Sequence, residues 1–140
     1  MSISSVVQDF LNEGLECSIV NRFKTRQIHD SQTLAFKLKE KIILVITDKN
    51  NEISAGKFLH YFKASPSLLS PSEISQITGH PKGCLSPFGL KRPLKVYIDV
   101  SLKNNNYISV CAGMKNFVVN VTPEELTKLT SAEWIDIWKT

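Results

Sequence analysis

Long apolar runs are missing from this chain of 140 residues: the longest, Ile42 to Ile46, spans five, where a membrane-crossing helix needs about 20. The opening MSISSVVQDFLNEG lacks a basic start followed by an apolar core. No secretory leader is therefore expected, and a cytoplasmic location is the default. Cysteine is scarce and odd in number: Cys17, Cys84 and Cys111 lie far apart without a CxxC pair, which argues against a disulfide scaffold. His29, His60 and His80 show no HExxH or paired spacing, so no metal site is expected. The GxSxG elbow, the GxxxxGK[ST] phosphate loop and the GxGxxG fingerprint are absent too. Neither sign of charge dominates, with 17 Lys and Arg against 13 Asp and Glu, a net of +4. Clusters at Arg22/Lys24/Arg26, Lys37/Lys39/Lys41 and Lys91/Arg92/Lys95 would ease approach to a polyanion, but on charge alone solvated strand faces and turns are the favoured reading.

What is present describes one domain over residues 1–140. The length and a 42% hydrophobic content allow a buried core without staples. Ser4 to Glu13 reads as a helix stopped by Gly14, and Leu15–Val20 as a strand. TLAFKL and KIILVIT flank Lys39-Glu40 as a hairpin. In its first arm Leu34, Phe36 and Leu38 alternate with Thr33, Ala35 and Lys37, which predicts one buried face; the second arm, nearly all apolar, predicts a central strand. SAGKFLHYF is a helix candidate. Ser70-Pro71-Ser72-Glu73 and Thr122-Pro123-Glu124-Glu125 each carry a cap, a first-turn proline and a returning glutamate. They predict helices to about Thr78 and Leu129. LKVYIDV, YISVCA, NFVVNV and EWIDIW read as strands, and Asn104-Asn105-Asn106 as an exposed turn. Helices and strands mix without regular alternation, so the expected class is α+β: a single domain with a mixed, curved β-sheet and surrounding helices.

One stretch, GHPKGCLSPFG from Gly79 to Gly89, holds three of the six glycines and two of the six prolines. It is either a crossover loop between helix and strand or a loop whose backbone does the work. Glycine allows close approach and positive φ, and backbone amides brought close can bind a developing oxyanion. Cys84 has no adjacent histidine and reads as a small packing residue rather than a thiol nucleophile. His80 reads as a solvated loop residue. Ser86 could contact a substrate or pin the loop. Asp99 is expected to fix the turn after it.

The TG of Thr78-Gly79 ends a helix. GxxxP follows as Gly83-Cys84-Leu85-Ser86-Pro87, then Phe88-Gly89, and an IDxSL strand as Ile98-Asp99-Val100-Ser101-Leu102. Then come Cys111-Ala112-Gly113, Thr122-Pro123-Glu124-Glu125-Leu126 and Ile135-Asp136-Ile137. In this order and spacing, from about Leu34 to Ile137, the chain resembles the YbaK/prolyl-tRNA-synthetase-associated editing domain family. The resemblance implies trans-editing: hydrolysis of mischarged aminoacyl-tRNA, often carrying Ala, Cys, Ser or Thr, on tRNA(Pro) or a related tRNA. Small side chains need such a second check because they differ too little in binding energy. It implies tRNA as partner, with a synthetase as a further one, no membrane, and no metal, nucleotide or organic cofactor. By likeness Gly83, Cys84, Leu85, Ser86 and Pro87 line the catalytic site, with Phe88, Gly89, Gly113 and Asn116 on the substrate. Lys91, Arg92, Arg22 and Lys24 would meet the tRNA. An exposed edge strand would permit a homodimer as well as a monomer.

Two departures fall on the substrate side. The family's lysine in K-[ST]-L is replaced in Gln32-Thr33-Leu34, so Gln32 would orient substrate by hydrogen bonds instead. Lys37, five residues on, points to the opposite strand face. The segment Asn21–Ser31 is also too short for the family's usual helix. The expected function is a free-standing aminoacyl-tRNA deacylase. The alternative is an editing fold that binds tRNA or a synthetase without turnover; hydrolysis of another small acyl ester or thioester is a third reading.

Overall fold

The computed structural model describes residues 2–21, 29–81 and 83–139. Its frame is a seven-stranded sheet. The strands are β1 (Ile19–Asn21), β2 (His29–Leu38), β3 (Lys41–Asp48), β4 (Lys95–Asp99), β5 (Ile108–Cys111), β6 (Phe117–Val121) and β7 (Glu133–Ile135). Their spatial order is β1-β6-β5-β2-β3-β4-β7. β2 and β3 form the hairpin expected around Lys39-Glu40 and pair antiparallel along their whole length, from Ser31 opposite Asp48 to Leu38 opposite Lys41. β3 with β4, and β4 with β7, run parallel, so the sheet is mixed as expected.

Burial explains the central place of β3. Leu44 and Ile46 point into one core with Val6, Phe10, Phe88 and Leu126. Ile43 and Val45 point into a second core with Phe36, Phe58 and Tyr97. The first is covered by α1 (Ser2–Asn12), α3 (Pro71–Thr78) and α4 (Pro123–Thr130), the second by α2 (Ala55–Phe62). A strand buried on both faces has no polar positions, which is why its sequence reads as an apolar run.

The capping signals act as read. Ser70 accepts from the Glu73 amide at 3.3 Å while Glu73 accepts from the Ser70 amide at 3.0 Å. Those hydrogen bonds from Ser70, with Lys37 nearby, hold the Glu73 carboxyl below its ordinary pKa. Thr122 and Glu125 repeat the box at 3.1 and 2.9 Å.

Several boundaries differ from expectation. α1 begins at Ser2 and ends at Asn12. Leu15–Ser18 is not a strand: the Leu15 amide donates back to the Phe10 carbonyl at 2.9 Å, and the chain leaves α1 in a turn before β1 begins at Ile19. β2 starts at His29, so Gln32 lies inside the strand. Ala35 is buried as well as Phe36, because its side chain lies in the first core with Leu44 and Leu69. The 67–69 segment pairs antiparallel along this edge, and the Leu69 amide donates to the Ala35 carbonyl at 3.0 Å. Val100 leaves β4 for a 3-10 turn through Leu102, and Asp99 caps it, accepting from the Ser101 amide at 3.0 Å. The other carboxylate oxygen of Asp99 accepts from the Ile137 amide at 2.9 Å, beyond the end of β7 at Ile135. Asp99 is thus the turn-fixing residue expected.

Candidate functional site

β2 and β5 lie side by side but pair, in parallel, only at His29 with Ile108 and Asp30 with Ser109. The Ser31 hydroxyl closes this short join by donating to the Ser109 carbonyl at 2.7 Å. Beyond it the strands part, and a cavity of about 530 Å³ occupies the wedge. Ser31, Gln32 and Thr33 of β2 form one wall, with Lys49 just past β3 beside them. Pro71 and Ile74 of α3, with Gly83 and Leu85 of the glycine-rich loop, form the second. Cys111, Lys115, Asn116 and Phe117, around the β5–β6 turn, complete the lining.

The backbone of β2 contributes as well. Its odd-numbered residues turn their main-chain groups away from β3, since the Lys37 amide donates to Ser67 and the Ala35 carbonyl accepts from Leu69. By the same alternation the Thr33 amide and carbonyl face the wedge.

The loop from Gly79 to Gly89 is held from within. Gly79 ends α3 at φ 80°, its amide donating to the Ser75 carbonyl at 3.0 Å. His80 is fully buried, and its Nε2 lies 2.7 Å from the Phe88 carbonyl. A carbonyl oxygen only accepts, so Nε2 carries the proton and the ring ties the two ends of the loop together. Burial pushes the His80 pKa below its ordinary value, opposed by the Phe88 carbonyl, Asp9 and the Ser86 backbone. The expectation of a solvated His80 is therefore corrected: it is a core residue. Its partners lie eight positions downstream and on α1, outside any local reading.

Ser86 is buried and accepts from the Phe88 amide at 3.2 Å, pinning the loop. Phe88 packs edge-on against Phe10, ring centroids 5.0 Å apart. Gly89 docks α1: its amide donates to Asp9 at 2.8 Å and its carbonyl accepts from the Ser5 hydroxyl at 3.1 Å.

Of the residues expected at the site, the cavity wall brings together Gln32, Gly83, Leu85 and Asn116. Cys84 is buried among core side chains, and Cys84, Ser86, Phe88, Gly89 and Gly113 are not on the wall. Pro87, Lys91 and Arg92 line a separate depression of about 270 Å³ beside α1 and α4. Arg22 and Lys24 lie outside the described residues. Lys37 is not on the wall.

The wall residues not foreseen include two cations, Lys49 and Lys115. Lys49 could have been found by counting outward from the two-residue turn Lys39-Glu40, which sets it opposite Asp30, two places from Gln32. Among the described residues of the wall there is no carboxylate and no imidazole, so its titratable groups are two lysines and the Cys111 thiol. A second cavity of about 550 Å³ lies at the hairpin tip, around Lys39, Lys41 and Lys63. It contains neither the glycine-rich loop nor a splayed strand edge.

Comparison with known proteins bears on the fold and the family. The model of the family described as "Aminoacyl-tRNA editing domain" matches residues 19–129. The uncharacterized protein YwhH of Bacillus subtilis (strain 168) is 33% identical over 111 residues, covering 78% of this chain and 71% of YwhH. The solved structure of a candidate trans-editing enzyme for prolyl tRNA synthetase superposes with a TM-score of 0.88 at 21% identity, covering 99% of this chain and 98% of the other. The protein APE2540 superposes at 0.81 with 16% identity, over 99% of this chain and all of its own (100%). At these identities the two structures establish the fold.

Proposed function

Because the chain belongs to the aminoacyl-tRNA editing domain family, we propose that it is a free-standing deacylase that hydrolyses the ester of tRNA mischarged with a small amino acid. The observation that carries the reading is the shared cavity. The glycine-rich loop and the edge of β2 face each other across about 530 Å³, a size within the ordinary range of small-ligand sites, roughly 300–1,000 Å³. Ile74, Leu85 and Phe117 give it an apolar interior suited to a short side chain.

Hydrolysis adds water to the ester carbonyl carbon, breaks the bond to the ribose oxygen and returns a proton to that oxygen. Amides at Gly83 and Thr33, on opposite walls, are the donors for the carbonyl oxygen as it gains charge. One such donor is worth about 10²–10³ in rate. The Gln32 and Asn116 side-chain amides orient the substrate. No described wall residue is a carboxylate or imidazole, so the proton leaving the attacking water passes to the substrate's own ribose hydroxyl or to solvent.

The lack of a carboxylate or imidazole among the described wall residues also supports a second reading, tRNA binding without turnover. Incubation with Ala-, Cys-, Ser- and Thr-tRNA(Pro) while following the aminoacyl bond separates the two. Turnover lost in Gly83→Val, whose side chain would project into the open space beside Gly83, places the chemistry in this cavity. Full stability of all four esters with tRNA still bound sinks the hydrolase for this panel.

A further inference from the structure

Among the described residues, the cavity's positive charge comes from outside the glycine-rich loop. Two described cations stand on its wall: Lys49, just after β3, and Lys115, in the β5–β6 turn. They are not equivalent. Lys49 Nζ lies 3.7 Å from the Asp30 carboxylate, with side-chain exposures of 47% and 21%. Lys115 has no carboxylate within ion-pair distance among the described residues. A lysine with an acidic neighbour loses part of its rotamer freedom before any ligand arrives, so it is the better prepared of the two.

The hairpin register fixes where that charge sits. Ser31 faces Asp48 and Gln32 faces Thr47, and the Lys49 amide donates to the Asp30 carbonyl at 3.2 Å, continuing the pairing by one residue. Residues opposite one another across antiparallel strands share a face, as do residues two apart along a strand. Asp30, Gln32 and Lys49 therefore share one face, with Lys49 the diagonal neighbour of Gln32. Diagonal neighbours are about 7–8 Å apart, within reach of a long side chain. An ammonium at position 49 can serve the same part of the cavity as one at position 32. Its half-exposure puts it toward the mouth, while Ile74, Leu85 and Phe117 furnish the interior.

We propose that Lys49, steadied by Asp30, receives the phosphodiester of the terminal nucleotide at the cavity mouth, supplying from β3 the positive charge that Gln32 does not supply from β2. This rests on reading the cavity as an aminoacyl-tRNA site. With the ester inside, the first anionic group along the chain is the 5′ phosphate of the adenosine that bears it. Lys49 is a positioning residue: it holds the end of the RNA, and its loss weakens binding more than chemistry.

The test pairs binding with turnover. The binding probe is an uncharged acceptor-stem minihelix ending in single-stranded ACCA, titrated against wild type, Lys49→Ala, Lys49→Arg and Gln32→Lys/Lys49→Ala over a range of salt. A blunt duplex of the same stem serves as the comparison. Lys49→Ala is expected to weaken ACCA binding about tenfold. It should also reduce the salt slope by about 0.7, the release expected for one single-strand phosphate contact. Blunt duplex binding should not change. Lys49→Arg should keep the slope, and the Gln32→Lys/Lys49→Ala pair should restore it. With mischarged tRNA the loss should appear in KM, with kcat within about twofold. Unchanged ACCA affinity in Lys49→Ala, an equal loss on the blunt duplex, no restoration from position 32, or no RNA binding by wild type would each overturn the proposal. If wild type binds ACCA but hydrolyses no ester, the hydrolase reading fails, and the binding series still decides the role of Lys49.

Discussion

Replacing Gly89 with alanine forces a new Cβ to within 2.6 Å of the Val6 amide nitrogen, 2.6 Å of the Ser5 hydroxyl and 2.7 Å of the Ser5 carbonyl carbon. Two of these three contacts are main-chain atoms of α1, which cannot swing aside as a side-chain tip can. Gly89 also sits at φ 62°, where an alanine costs about 1–2 kcal/mol by itself. To relieve the clash α1 must move off the loop. That movement breaks the Gly89 amide bond to the Asp9 carboxylate and the bond from the Ser5 hydroxyl. A hydrogen bond to a charged group contributes about 1.5–3 kcal/mol and a neutral one about 1 kcal/mol. Together these terms predict a loss of about 3.5–6 kcal/mol. Gly83→Ala is the matched comparison: at φ 73° the residue has nothing within 4 Å of the new Cβ, so only the backbone cost of about 1–2 kcal/mol applies. Urea unfolding followed by far-UV circular dichroism measures both. At an m-value of about 2 kcal/mol/M, the midpoint should fall by roughly 2–3 M for Gly89→Ala and by no more than about 1 M for Gly83→Ala. Equal losses, or a greater loss at Gly83, would refute the reasoning that close packing on α1 separates the two glycines.

Protonation of His80 opposes its burial, so its pKa in the folded protein lies below the ordinary 6.5. The unfolded chain then binds more protons between those two values, and stability rises with pH there. Its contribution is complete above pH 6.5 and is lost as pH drops through the folded value. His80→Phe should flatten the dependence of Tm on pH in that window, and an unchanged slope would contradict the assignment. Asp99→Ala strands the amides of Ser101 and Ile137. A loss of about 2–4 kcal/mol in urea is expected. The Ser101 hydroxyl is buried with no hydrogen-bond partner among the described residues. Ser101→Ala should accordingly be neutral or stabilising by up to about 1 kcal/mol, and a clear loss would show that the hydroxyl has a partner. Removing the caps, by Ser70→Ala or Thr122→Ala, should cost about 1 kcal/mol each in the same assay.

Local chemistry made much of this fold legible. The two capping boxes need only four consecutive residues each, and both occur where the sequence places them. The hairpin turn at Lys39-Glu40 also follows from adjacent patterns. What was not legible depends on partners distant in sequence. His80 is buried because the Phe88 carbonyl and α1 close over it. EWIDIW has strand composition to its end, yet β7 stops at Ile135 because the Ile137 amide is taken by Asp99, 38 residues earlier. The cavity falls between these cases. Gln32 and Asn116 were marked by likeness to a family, but the parting of β2 from β5 that places them together is a property of the sheet. Lys49 was within reach of strand counting, and attention to the nearest lysine along the chain led instead to Lys37, on the other face.

That parting has another side. A strand edge is a template on which foreign chains can add themselves, and sheets are commonly guarded against it. Here the outermost strands, β1 and β7, are three residues each, as described. The open edge of β2, between its join to β5 at Asp30 and its pairing with the 67–69 segment from Ala35, lies inward, overlooked by α3 and the β5–β6 turn. Its short length leaves room for a small group rather than for a strand. The fold thus keeps main-chain donors and acceptors accessible to a small molecule inside the sheet instead of at its rim.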